Sequence, residues 1–284
     1  MEREQRNAIF GQADALRAMQ QDGVRTQMGS NIPVNTIPLP SRGLVYSPES
    51  ALHGVAEVQL KAMTVQEENI LTSKALIKKG TVITELIRSC MVNRDISVND
   101  MLSGDRNTLM VAIRSEGYGN EYAIDVKCAS CQETSEQMFD LNQFPLKMLD
   151  IEPVEAGKNE FPFKLPFSGV DITFRFLTGK DEEDIVAIQE SKKKVAKAGA
   201  TIVDDSLQLQ LQYSIVSVNG NRDKLFISNF VRTLQAKDSR ALRKHISTSQ
   251  PGIEMSQDLV CPHCGHTEKE VGMPIGVSFF WPDR

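Results

Sequence analysis

Four cysteines in two Cys-x-x-Cys pairs, Cys128-Ala-Ser-Cys131 and Cys261-Pro-His-Cys264, are the residues of this 284-residue chain whose type and spacing could do chemistry. A thiolate is a soft metal ligand, and a two-residue spacer inside a tight turn lets both sulfurs of one pair reach one ion at about 2.3 Å. Each pair supplies half of a tetrahedral shell. Together they predict one structural Zn2+ held by Cys128, Cys131, Cys261 and Cys264. A shell closed by four sulfurs leaves no position for water or substrate, which argues against metal catalysis.

Other uses of these thiols fit less well. Five cysteines are sparse for a disulfide framework, and nothing at the N-terminus resembles a secretion signal. Redox-active pairs open helices, and neither pair does so here. Cys90, in the apolar stretch Leu86-Ile-Arg-Ser-Cys-Met, reads as a buried packing residue. His263 and His266 flank the second pair, but four sulfurs already fill the shell, so both read as solvated turn residues.

Each pair sits between short alternating segments, Tyr122 to Lys127 with Glu136 to Leu141 and Asp258 to Val260 with Glu268 to Met273, so each predicts the turn of a hairpin. Cys131 and Cys261 stand 130 positions apart. A single shared ion therefore makes the intervening segment an insertion whose ends the metal holds together.

The elements around the pairs predict an α+β protein with a helical N-terminal subdomain, a split four-cysteine zinc ribbon, and an inserted β-hairpin plus helical region. Residues 1–50 read as an extended interaction arm, with an apolar set at Ile9, Phe10, Ala13, Leu16 and Met19 that could form one amphipathic helix. A strap of three prolines follows, leading into a turn at Ser41-Arg-Gly43. Residues 51–142 carry a strand over 54–62 and a capping box at Thr64-Val-Gln-Glu67 that starts a helix ending at Gly80. Two more helices and the first knuckle complete that part. Residues 143–250 hold a hairpin of Phe161–Phe167 with Val170–Leu177, then helices from Thr178 to about Ala198, Ser206 to Val218, Leu225 to Leu234 and Asp238 to Ser247. Residues 251–284 hold the second knuckle and an aromatic end, Phe279-Phe280-Trp281. That end is either core or interface.

Composition narrows the function. A net charge of −5 and a pI near 5.5 give little support to general polyanion binding. The basic run Arg240-Ala-Leu-Arg-Lys-His245 reads as a solvated helix end, and no apolar run is long enough to span a membrane. No phosphate-binding glycine loop, HExxH or GxSxG is present, and acid clusters such as Glu67-Glu68 and Glu182-Glu183-Asp184 complement helix dipoles. Nothing points to a small-molecule substrate.

Three stretches, Ile37-Pro-Leu-Pro-Ser-Arg-Gly-Leu-Val-Tyr46, Met63-Thr-Val-Gln-Glu-Glu-Asn-Ile-Leu-Thr-Ser-Lys-Ala-Leu-Ile-Lys-Lys-Gly-Thr81 and Val277-Ser-Phe-Phe-Trp-Pro282, resemble the baseplate hub proteins of T-even-type contractile-tailed bacteriophages. The resemblance covers residues 31–135 best. It implies a non-enzymatic virion component of the tail baseplate, put together in the host cytoplasm and bound to other phage tail proteins. One alternative is a hub assembly chaperone that the finished virion does not retain. Another is a nucleic-acid-binding zinc ribbon, which the acids Glu133, Glu136, Asp258, Glu268 and Glu270 around the knuckles disfavour.

Overall fold

Strand β1 (Val34–Pro38) pairs antiparallel with β2 (Glu57–Lys61), from Val34 opposite Lys61 to Pro38 opposite Glu57. The structure, a computed structural model, describes residues 33–195, 204–273 and 275–280. The amphipathic set at Ile9 to Met19, the end of the arm and Trp281 lie outside the described residues. The part of the arm that is described differs from the expectation. Prolines at both ends of β1 still permit an edge strand, because its outer side needs no donors. Beyond it Leu39, Ser41, Val45 and Tyr46 are buried in the chain's own core.

That burial has a specific anchor. The Asp105 carboxylate accepts the Ser41 amide (2.9 Å), the Ser41 hydroxyl (2.6 Å) and the Tyr46 hydroxyl (2.7 Å). Burial pushes the Asp105 pKa up even though all three donors favour the charged form.

Val58 and Leu60 alternate inward along β2, as their spacing predicts. Thr64 then caps α1 (Val65–Leu71) with the full capping box. The single helix expected over 65–79 is two, α1 and α2 (Lys74–Lys79), because the Thr72 hydroxyl bonds back to the carbonyls of Glu68 and Asn69 and Ser73 turns extended. Gly80, at φ 75°, closes α2 in the left-handed conformation. Helices α3 (Val82–Cys90) and α4 (Ser103–Tyr118) follow.

The first cysteine hairpin is β3 (Glu121–Lys127) with β4 (Thr134–Asp140), and the second is β10 (Ser256–Val260) with β11 (Thr267–Gly272). Between them lie β5 (Leu146–Lys147), β6 (Phe161–Lys164), β7 (Asp171–Phe174), α5 (Gly179–Val195), α6 (Ser206–Ser214), β8 (Ile215–Val218), α7 (Lys224–Thr233), α8 (Ala236–Ser249) and β9 (Gly252–Ile253). The helix expected to reach Val218 stops at Ser214. Its β-branched end Ile215-Val-Ser-Val pairs with β7 and makes the third strand of a β6-β7-β8 sheet.

Acids at the start of α5 do more than complement its dipole. Glu182 pairs with Arg106 of α4 (3.2 Å), and Glu183 accepts from Thr84 of α3 and from Asn99. His245, read as solvated, is half-buried and stacks on Phe163 at 4.5 Å with the Phe174 ring edge-on to it. The roots of the inserted region are tied together by contacts of the protein itself. β5 pairs with β9 (Leu146 opposite Ile253), and Gly104 of α4 lies so close to Pro251 that an added Cβ would sit 1.7 Å from its carbonyl oxygen. Most of the buried apolar residues form one continuous cluster, which runs from Leu39 to Phe280.

Candidate metal centre

Each knuckle closes by the same backbone pattern. Cys128 donates its amide to the Glu133 carbonyl (2.9 Å), and Gln132 donates to the Cys128 carbonyl (3.0 Å). Cys261 donates to His266 (2.9 Å), and Gly265 donates to Cys261 (2.9 Å). The residue after the second cysteine turns left-handed in both, Gln132 at φ 65° and Gly265 at φ 71°. Glycine meets that demand without strain, whereas Gln132 meets it against its own preference.

These turns bring the four predicted ligands together. All four Sγ atoms lie within 4.8 Å of one another, with Cys128 to Cys264 at 3.8 Å and Cys131 to Cys261 at 3.7 Å. A tetrahedral zinc with sulfurs at about 2.3 Å has sulfur–sulfur edges of about 3.8 Å. The donor set and its spacing therefore fit the ion. Within the cluster Cys128 and Cys131 are shifted in opposite directions. Amide donors, first Cys131 and then Ser130, bring Cys128 down to about 6. Cys131 receives the Glu133 amide but is nevertheless pushed up to about 12 by burial and its bonds to the other three sulfurs. Binding a cation would replace the thiol protons, so it releases them to solvent.

Beside the sulfurs, the cavity lined by Val126, Cys128, Leu259 and Cys261 measures about 20 Å³, room for roughly one water. His263 and His266 are exposed, as expected of turn residues outside the shell. Cys90 is fully buried, and its thiol is pushed up to about 12, by burial first and then by the charge on Glu67. It is an inert packing group.

What orients the hairpins at their base was not visible in the motifs. Arg114 is fully buried in α4 and has no carboxylate partner among the described residues. Its guanidinium donates to three carbonyls: Phe279 (3.0 Å), Gly119 (2.7 Å) and Glu121 (3.0 Å). It also lies over the rings of Tyr122 and Phe279, at 5.4 and 5.7 Å from their centroids. Tyr122 of β3 meets Phe279 edge-on at 4.9 Å. The aromatic C-terminus, left open between core and interface, is core at Phe279 and Phe280, both fully buried. One cation thus fixes the end of α4, the first hairpin and the Phe279 segment together. A lone arginine amid Val111 and Ile113 is the one signal in the sequence that could have marked it.

Glu67 is a second buried charge. It accepts from the Thr64 amide (2.9 Å) and hydroxyl (2.5 Å), from the Ser89 hydroxyl (2.6 Å) and from Lys61 (3.2 Å). Burial alone would raise its pKa. Hydrogen bonds from Ser89, Thr64 and Lys61 outweigh it and hold the carboxyl at about 2.

Among the described residues no helix is long and apolar enough to cross a membrane. No curated protein and no solved structure matches the chain. A family model does, that of the T4 bacteriophage base plate protein, over residues 45–281. This span takes in both knuckles, α4 with Arg114 and the buried aromatic end, so the chain belongs to the T4 bacteriophage base plate protein family.

Proposed function

We propose that this chain is a zinc-stapled structural subunit of the baseplate hub, joining neighbouring tail proteins and catalysing nothing. The observation that carries the metal is the clustering of four sulfurs within 4.8 Å of one another on two hairpins that share no strand pairing. Cys128, Cys131, Cys261 and Cys264 would hold Zn2+ and fix the hairpin tips relative to each other. The ion's contribution there is rigidity, since four thiolates leave it no open position. The virion-resident role is supported by the family. Assembly in the host cytoplasm is also in keeping with a metal staple, because a reducing compartment does not preserve disulfides.

Residues 1–32 belong to this reading as the part that reaches neighbours, since the proline strap after them is committed to the chain's own core. Two measurements test the proposal. Metal analysis of the purified protein should find one zinc per chain, and none would refute the staple. Mass spectrometry of purified particles should find the chain in wild-type virions and lose it when residues 1–30 are deleted. Finding it in assembly intermediates but not in finished particles would make it a transient assembly factor.

A further inference from the structure

We propose that the outer face of α8, with Phe167 beside it, is a docking surface for the acidic cysteine ribbon of a second copy of this chain. Lys237, Arg240 and Lys244 stand at i, i+3 and i+7 on α8 and so form one stripe about 10 Å long. All three are exposed, and none makes an ion pair among the described residues. The stripe lies in a segment, Lys224 to Gln250, with six cations and one acid, in a chain whose net charge is −5. That one acid, Asp238, is buried and spends its carboxylate on the amides of Phe167 (2.9 Å) and Ser168 (3.0 Å).

Those two bonds hold the Phe167 turn against the start of the stripe, where the ring is 59% exposed with the Lys237 ammonium 5.3 Å from its centroid. A rigidly held, exposed aromatic ring beside a stripe that carries an arginine suits the centre of an interface, and the lysines of the stripe suit its polar rim. It is not what a solvated helix end needs.

The same chain carries the complement. The two hairpins hold eight acids, Glu121, Asp125, Glu133, Glu136, Asp140, Asp258, Glu268 and Glu270, against Lys127 and Lys269. None of the eight makes an ion pair among the described residues, and among them Met138 and Val260 are 60% and 56% exposed. Acids around exposed apolar side chains match cations around an exposed ring. Among the described residues no hydrogen bond or ion pair joins α8 to either hairpin within the chain, so each surface can meet its opposite on another copy. A polyanion would also accept the stripe, but three cations meet few phosphates while the ribbon repels the rest. Because the two surfaces differ, the contact is head to tail and either closes into a ring or extends.

Sedimentation velocity on the full zinc-loaded chain tests this. Association should rise with concentration at about 20 mM salt and weaken at least about tenfold near 500 mM. A variant with Lys237→Glu, Arg240→Glu and Lys244→Glu should be monomeric, and so should one with Glu133→Lys, Glu136→Lys and Glu268→Lys. Their circular dichroism and zinc content should match the parent's. Mixed in equal amounts, the two should associate, because the first variant's unchanged ribbon meets the second's unchanged stripe, and its acidic stripe meets the second's basic ribbon with the signs reversed. A parent that stays monomeric at low salt overturns the proposal. So does association that the first variant keeps, or a mixture that stays monomeric. Binding of a short single-stranded DNA by a non-associating parent, lost in the first variant, would assign the face to polyanions and overturn it as well.

Discussion

Replacing Arg114 with methionine tests the account of what seats the ribbon. The substitution keeps most of the side-chain volume and removes every donor. The Phe279 carbonyl loses its buried partner, and those of Gly119 and Glu121 lose partners in part-buried positions. An unpaired buried acceptor costs about 1–3 kcal/mol, so about 3 kcal/mol is expected with the two wetter carbonyls at the low end. Losing the cation over the Tyr122 and Phe279 rings adds about 1 kcal/mol. Relief from burying a charge offsets part of this, leaving a net loss of about 3 kcal/mol. Arg114→Lys keeps the charge but cannot fork to three carbonyls, and should lose about half as much. Urea unfolding at saturating zinc measures both. The methionine variant should also bind zinc more weakly in competition with a chromogenic chelator, since the base of the first hairpin shifts. Stability of Arg114→Met within about 1 kcal/mol of the parent, or a lysine variant worse than the methionine one, would refute the reasoning.

Cys261→Ser should remove most of the stabilisation that zinc supplies, about 4 kcal/mol when free zinc stands a thousandfold above its dissociation constant, and a chelator should lower the parent to the same level. A parent whose melting temperature ignores the chelator would count against the staple. Glu67→Gln tests the buried carboxylate. Its folded pKa is lowered from 4.5 to about 2, so its contribution of about 3 kcal/mol is fully present above pH 4.5 and is lost as pH falls towards 2. The stability gap between parent and variant should close across that window, and a gap independent of pH would sink the assignment. Gly104→Ala drives a methyl to 1.7 Å from the Pro251 carbonyl oxygen, so α4 and β9 must separate, at about 2–3 kcal/mol in urea unfolding. An unchanged midpoint would mean that the contact is looser than described.

Local signals carried well. The capping box at Thr64, the left-handed Gly80, the alternation of Val58 and Leu60, and both hairpin turns were legible because each depends on neighbours within a few residues. The four sulfurs were legible because ligand spacing is itself local, although their meeting across 130 positions is not. What the sequence hid depends on distant partners. The segment 33–50 looked like an arm because its anchor, Asp105, lies 64 positions from Ser41. Ile215 to Val218 carried the hydrophobicity of a helix end, and only pairing with β7 made it a strand. His245 looked solvated among basic residues, yet Phe163 of β6 and Phe174 of β7 cover it. Arg114 was hidden most fully, since its partners are backbone carbonyls, which leave no trace in side-chain types.

The division of labour within the split ribbon follows from where hydrogen bonds run out. At its root the chain's own contacts close the insertion: the β5–β9 ladder, the approach of Gly104 to Pro251, the Glu254 amide on the Pro145 carbonyl, and Arg114. Towards the tips the two hairpins remain separate two-stranded sheets. A two-stranded hairpin is marginal by itself, because one paired edge orders too little chain to offset its conformational entropy. The sulfurs sit where that deficit is greatest, at the far end from Arg114. A metal there need not create the fold, which the core and the root contacts already support. Bound there, it would hold two weak tips in one orientation. Its removal should therefore raise hydrogen exchange in 121–140 and 256–272 well before it reaches α3 and α4.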